Sequence, residues 1–267
     1  MKKFMALLLV AGMTLSLTAC GGSTDTAKTD QADGKDTFTV GFDQDFPPFG
    51  YVGDDGEFTG FDIEMATECA ARMGKKIVLQ PIDWDAKDME LEAGTIDCIW
   101  NGFTMNGRED QYTWTDPYMD NSQVVVVKKD SGINTLADLA GKVVEVQKES
   151  AAETALNDEE HADLTASFAQ LLSVGEYNTA FMDLESGAVD AVAIDIGVAQ
   201  FQIEGKEDQY QILDETISSE QYAVGFFLGN TALRDEVQST LLEMAEDGTF
   251  AEISNKYFGY DVCTLGK

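Results

Sequence analysis

From Thr37 to Met244, short apolar runs of three to five residues alternate with segments whose apolar residues recur every three or four positions. This alternation constrains the chain more than any other feature. Strands that alternate with helices assemble into largely parallel sheets whose faces the helices cover, which predicts an α/β fold. Phe38–Phe42 predicts the first strand. Ile63, Ala66, Ala70 and Met73 then repeat at helical spacing, and Gly74 stops that helix. Ile77–Leu79, Asp97–Trp100 and Gln123–Val127 predict strands, with a short helix between the first two. A second set follows: strand Val143–Val146, a helix from Ser150, strand Ala166–Ala169, helix Tyr177–Ser186 and strand Ala191–Ile194. Val224–Leu228 predicts another strand, and Leu233, Val237, Leu241 and Met244 mark a terminal amphipathic helix.

Two such sets, each the size of a small domain, predict two lobes. Residues 37–124 with 221–267 form the first, and 125–220 the second. The chain then crosses twice, near Gln123–Val127 and near Tyr222–Phe226, and these crossings serve as a two-strand hinge. In open α/β sheets ligands bind beyond the carboxyl ends of the strands, so the cleft between the lobes is the expected site.

The amino terminus is of a different kind. Lys2 and Lys3 precede an apolar run, Phe4–Leu17, shorter than the roughly 20 residues a bilayer span needs but right for a signal-peptide core. It ends in Leu17-Thr18-Ala19-Cys20, which resembles the bacterial lipoprotein box. Residues 1–20 are therefore expected to be a lipoprotein signal sequence, cleaved ahead of Cys20, which is lipidated and becomes the new amino terminus. Residues 21–36 lack large apolar side chains and read as a flexible tether. The working domain is then exported and held on the outer face of a bacterial membrane.

Charge narrows the partners. Against 17 Lys and Arg stand 49 Asp and Glu, a formal net charge of −32. A field of that sign opposes nucleic acid and anionic lipid surfaces. The one histidine, His161, cannot supply a multi-histidine metal site, and neither Asp54-Asp55 nor Asp158-Glu159-Glu160 has the spacing of an EF-hand calcium loop. No metal or other cofactor is expected. Cys69, Cys98 and Cys263 have neither zinc-ribbon nor CxxC spacing, and buried thiols are the simplest reading, although an exported chain permits a disulfide.

Five stretches occur in a fixed order: VGFDQDFPPFGY, GEFTGFDIEMATECAARMG, GTIDCIWNGFTMNGREDQYTWTDPYM, LADLAGKVVEVQKESAAE and SGAVDAVAIDIGVA. Together they resemble the family-3 extracellular solute-binding proteins, the amino-acid receptors of bacterial ABC importers. The resemblance covers essentially all of residues 37–260. It implies a two-lobed type II periplasmic-binding-protein fold, each lobe a mixed sheet with flanking helices. It also implies a monomer that binds an L-amino acid in the cleft and docks on a permease driven by an ATPase.

An amino acid presents a carboxylate and an ammonium, so its receptor needs a fixed cation and a fixed anion. Arg108 is the candidate cation, since a guanidinium can grip a carboxylate with two parallel hydrogen bonds. By resemblance, Gly102 and Thr104 donate from the same loop, through backbone N–H and hydroxyl, and Asp195 receives the α-ammonium. At Asp195 a simpler role, capping the following helix, is compatible with ligand binding. Ser150 and Ala151 open a helix, where free backbone N–H groups attract carboxylate oxygens. Two departures from the family pattern stand out: the Thr104–Arg108 spacing is one residue shorter, and Glu149 replaces the usual glycine. Phe46 and Trp84 are expected to sandwich the ligand side chain, and Asp43, Asn101 and Gln147 to read its tip. Trp100 and Trp114 are expected in the core, and Pro47, Pro48 and Phe49 as loop-shaping residues. A basic amino acid or glutamine fits this set best. Two other classes share the fold, a cyclohexadienyl or arogenate dehydratase and a sensory module. Nothing in the sequence demands an acid–base pair, and no membrane span of the kind that sensory modules carry is legible before Lys267.

Overall fold

β1 (Thr37–Phe42) is the strand that the FTVGF run predicts, with Phe38, Val40 and Phe42 fully buried. This computed structural model describes residues 36–266; the leader, Cys20 and the tether as far as residue 35 lie outside the described residues. β2 (Asp45–Phe46), β3 (Gly50–Val52) and β4 (Phe58–Thr59) form a small antiparallel sheet. α1 (Phe61–Arg72) buries Phe61, Met65, Ala66, Cys69 and Ala70 along one stripe, and Gly74, at φ 69°, turns the chain out of it. β5 (Lys76–Pro81), α2 (Lys87–Ala93), β6 (Cys98–Ile99) and β7 (Thr113–Trp114) complete the first pass.

β8 (Met119–Lys128) leads into the second set: β9 (Val143–Gln147), α3 (Ala151–Asn157), α4 (Ala162–Ser167), β10 (Gln170–Val174) and α5 (Tyr177–Ser186). β11 (Ala191–Asp195), α6 (Ile196–Ile203), β12 (Tyr210–Ile212) and β13 (Ser218–Tyr222) follow. β14 (Gly225–Phe226), α7 (Thr231–Asp247) and α8 (Thr249–Phe258) close the chain.

Two mixed sheets make two lobes. The first has the order β5-β1-β6-β14-β7; the second runs β10-β9-β11-β8-β12, with β13 also paired to β8. The chain passes between the sheets twice, and the passing strands β8 and β13 pair antiparallel with Tyr222 opposite Met119 and Ser218 opposite Gln123. Val124–Val127 in β8 are all buried, as a strand covered on both faces requires. Each such valine contributes roughly 1.5–3 kcal/mol relative to exposure. Cys69 and Cys98 are free, buried thiols, and Cys263 is buried as well.

The motif glycine before α1 has a steric cause. Gly60 has φ 134°, and a Cβ there would lie 2.3 Å from the carbonyl oxygen of Phe49. With no side chain in the way, Phe61 N donates to Pro48 O at 2.8 Å and Asp62 N to Phe49 O at 3.0 Å, which stitches the Pro-Pro-Phe loop to the helix start. Asp62 is fully buried and accepts from Gly102 N at 2.5 Å and from Tyr118 Oη at 2.8 Å. Two motif stretches are thus tied at one carboxyl group, while the backbone N–H of the same residue holds the Pro-Pro-Phe loop.

Some local expectations fail. The strand expected at Ala166–Ala169 is displaced: Ala166 and Ser167 end α4, and the strand begins at Gln170, where Leu171, Leu172 and Val174 pair in register with Val144, Glu145 and Gln147 of β9. Only Gly225–Phe226 of the run 224–228 is strand; Phe227 and Leu228 are exposed. The returning crossing strand is β13, earlier in the chain than its apolar neighbours suggest, because its inward residues are polar. α8 was not legible beyond the α7 pattern.

Candidate functional site

A small cavity lies between the lobes. Asp43, Phe46, Trp84, Asn101, Gly102, Thr104 and Arg108 line it from the first lobe, and Gln147, Ser150, Ala151 and Asp195 from the second. All the candidate ligand-binding residues are therefore brought together around one space. Asp43 follows β1, Asn101 follows β6, and Gln147 and Asp195 close β9 and β11, so the site forms at strand carboxyl ends as the fold class dictates.

Arg108 is held by neutral groups. Its Nη1 donates to Thr104 O and its Nη2 to Glu149 O, both at 3.2 Å, while the guanidinium carbon lies 5.4 Å from the centre of the Phe103 ring. Trp114 Nε1 donates to the Arg108 carbonyl at 3.1 Å, so this core indole also fixes the loop. Among the described residues no carboxylate is paired with Arg108. A guanidinium with no anion beside it can pair with one that enters the cavity.

Asp195 sits at the N-cap position of α6 without capping it. Its Oδ1 instead accepts from Asn121 Nδ2 at 2.8 Å, Gln123 Nε2 at 2.7 Å and the Tyr222 hydroxyl. Burial, and then the neighbouring Glu220, push its carboxyl up to about 7. Its partners are neutral, as Arg108's are, so a cation is the complement it lacks.

Gly102 and Thr104 line the cavity with their donors engaged. Gly102 N–H is held by Asp62, and the Thr104 hydroxyl donates to Glu220 Oε1 at 2.8 Å. Thr104 therefore offers the cavity a hydroxyl oxygen as acceptor, a different role from the expected donor. Gly102, at φ 56°, lets Phe46 and Tyr222 approach within 3.0 and 3.2 Å of where a Cβ would stand. Ser150 Oγ accepts from Glu153 N at 3.1 Å and caps α3.

At the other end, Asp43 Oδ2 accepts from Gln147 Nε2 across the cleft at 2.6 Å, and its Oδ1 from Asp45 N at 2.8 Å. Burial raises the Asp43 carboxyl to about 6 despite both bonds. Asn101 Oδ1 accepts from Asp43 N at 3.0 Å, and its Nδ2 has no partner. Phe46 packs on Phe49 and Tyr177, and Trp84 meets Phe103 edge-on at 5.4 Å. Trp84 Nε1 also donates to Glu149 O, at 3.3 Å.

Several polar residues around the site escaped the sequence reading. Asn121 and Gln123 on β8, and Glu220 and Tyr222 on β13, are buried at alternate positions of strands. Polar residues at period two in the crossing strands were the available signal. Lys87, almost fully buried, lies 5.4 Å from the centre of the Trp84 ring and 3.9 Å from Glu149 Oε2, and burial lowers its ammonium pKa.

Two lobes on mixed sheets, joined by two passing strands and with a cavity between them, define a type II periplasmic-binding-protein fold. Residues 38–260 match the bacterial extracellular solute-binding proteins, family 3, and the chain belongs to that family. It is 31% identical over 261 residues to the L-cystine-binding protein TcyJ of Escherichia coli (strain K12), covering 97% of this chain and 94% of that protein. A substrate-binding protein of an ABC uptake transporter from Streptococcus pneumoniae, solved with bound histidine, superposes with a TM-score of 0.82. It is 35% identical, covering 86% of this chain and 95% of that one. The ancestral amino-acid-binding protein AncCDT-1, a precursor of cyclohexadienyl dehydratase, gives a TM-score of 0.76 at 28% identity, covering 83% and 95%.

Proposed function

We propose that this protein is the extracytoplasmic substrate-binding component of an ABC importer for a polar L-amino acid. The observation that carries the reading is the pair Arg108 and Asp195, which line one cavity from opposite lobes with only neutral partners. The guanidinium takes the α-carboxylate and the Asp195 carboxylate the α-ammonium. Binding both ends requires both lobes, so the ligand favours the closed arrangement. Phe46 and Trp84 flank the side chain, and Asp43, with Asn101 and Gln147, meets its tip. A buried carboxyl group there suits a side chain that donates hydrogen bonds or carries positive charge. Lysine, arginine, ornithine, histidine and glutamine fit that description, and so does the second ammonium of cystine.

Lobe boundaries at 124 and 221, a leader ending before a lipidated Cys20, a tether over 21–36 and a monomeric receptor on the outer membrane face belong to the same proposal. The chain acts as a receptor rather than as an enzyme. The dehydratase alternative predicts product from prephenate or arogenate, and the receptor reading predicts none. A thermal-shift screen of the full chain against the twenty amino acids, cystine and ornithine tests the proposal. A true ligand at 100 times Kd adds about 2.7 kcal/mol. A flat response across the panel contradicts the reading.

A further inference from the structure

Glu220 does not line the cavity, yet it is 6% exposed and bonded to the groups that do. Its Oε1 accepts from Thr104 Oγ1 at 2.8 Å and from Asn121 Nδ2 and Gln123 Nε2, each at 2.7 Å. The same two amide nitrogens donate to Asp195 Oδ1. Two buried carboxyl groups thus share one pair of neutral donors, and neither has an ion-pair partner among the described residues. The oxygens of those amides, Asn121 Oδ1 and Gln123 Oε1, are buried without a partner.

Two carboxyl groups that share donors in a dry site cannot both carry charge cheaply, so Asp195 keeps its proton until a cation arrives. We infer that Glu220 is a positioning residue of the ammonium subsite, which turns Thr104 into an acceptor and makes Asp195 exchange its proton for the ligand's ammonium. This rests on the receptor reading above. In the exchange the Asp195 O–H bond breaks, its proton leaves to water, and the carboxylate then accepts N–H bonds from the ammonium. The groups around Asp195 are Glu220 and Tyr222 from β13, Tyr177 from α5, the amides of Asn121 and Gln123 from β8, and Thr104 and Arg108 from the loop after β6. Burial keeps both tyrosines protonated, their pKa values raised well above the ordinary. Among the acids, the raised carboxyl of Asp195 favours the exchange in the neutral range. Asp43, at the far end, titrates lower, near 6.

The test is isothermal titration calorimetry on the full chain with the tightest-binding amino acid of the panel, its own ionisation included in the fit. Titrations run from about pH 5.5 to about pH 8 in buffers of different ionisation enthalpy. Wild type is expected to release close to one proton per ligand near pH 6, with Kd rising up to about tenfold per pH unit below about 7. Glu220→Gln keeps an acceptor for Thr104 but removes the charge. It is expected to move the bend in the Kd profile to lower pH and to cut the proton release at pH 6. Asp43→Asn leaves the bend nearest neutrality in place. A Glu220→Gln variant that changes Kd equally at every pH overturns the inference, because a purely structural residue behaves so. Should that variant not fold, wild-type binding without proton release overturns it equally. Absence of binding by every member of the panel is a different failure and removes the receptor reading itself.

Discussion

Arg108 Nη2 donates to the carbonyl oxygen of Glu149, 3.2 Å away across the cleft. Trp84 Nε1 reaches the same oxygen at 3.3 Å. Glu149 is the one non-glycine residue with positive φ among the described residues, at 60°, and that backbone turn aims its carbonyl at the first lobe. The left-handed conformation explains why the family pattern has glycine there and why this sequence can keep the contact at a cost.

Glu149→Gly should relieve that cost, about 1 kcal/mol for a non-glycine residue in this region. The lost contact with Lys87 at 3.9 Å involves a half-exposed carboxylate and offsets little of the gain. The melting temperature of the ligand-free protein should therefore rise by roughly 1–4 °C in a thermal scan. A fall would mean that the Glu149 carboxylate matters more to the buried Lys87 than its exposure implies.

Gly60→Ala tests the steric reading of the motif before α1. A methyl group would meet a backbone oxygen at 2.3 Å in a conformation that L residues rarely adopt. Destabilisation of about 3 kcal/mol or more is expected in urea denaturation. A loss below about 1 kcal/mol would show that the Pro-Pro-Phe loop yields easily.

Buried carboxyl groups set the pH dependence of the ligand-free protein. Burial raises Asp43 to about 6 and Asp62 to about 7, both from 3.8. A folded-state value above the unfolded one stabilises fully below the unfolded pKa, and that contribution is lost as pH rises through the folded pKa. Stability should therefore fall between about pH 4 and pH 7, with Asp43 alone accounting for up to about 3 kcal/mol. Asp247, lowered to about 2 by Arg72, acts in the opposite sense, but below that window. Denaturation of Asp43→Asn across the range should give a shallower slope than wild type. An unchanged slope would rule out Asp43 as a source.

Much of this architecture was legible because apolar periodicity reports burial directly. β1, α1, α5, β11 and α7 follow from which residues must leave water. The strand expected at 166–169 lies at 170–174 instead, because Phe168 and the alanines around it fit helix or strand equally by period. Register with β9 decided the matter, and register is a tertiary fact. The cavity-facing residues were legible through family motifs, whereas Glu220, Asn121 and Gln123 were not. A polar residue buried in a strand leaves no apolar trace, and its meaning depends on the carboxyl group that folding sets beside it.

Arg108 as the grip for an α-carboxylate is the centre of the proposed site. Calorimetry of the full chain with its tightest-binding amino acid, repeated with Arg108→Ala and Arg108→Lys, measures this most directly. Removing the guanidinium should weaken binding by at least about 100-fold, and lysine, which keeps the charge without the fork, by at least about tenfold. An Arg108→Ala protein that binds within about threefold of wild type, a difference under about 1 kcal/mol, would contradict the site as built here.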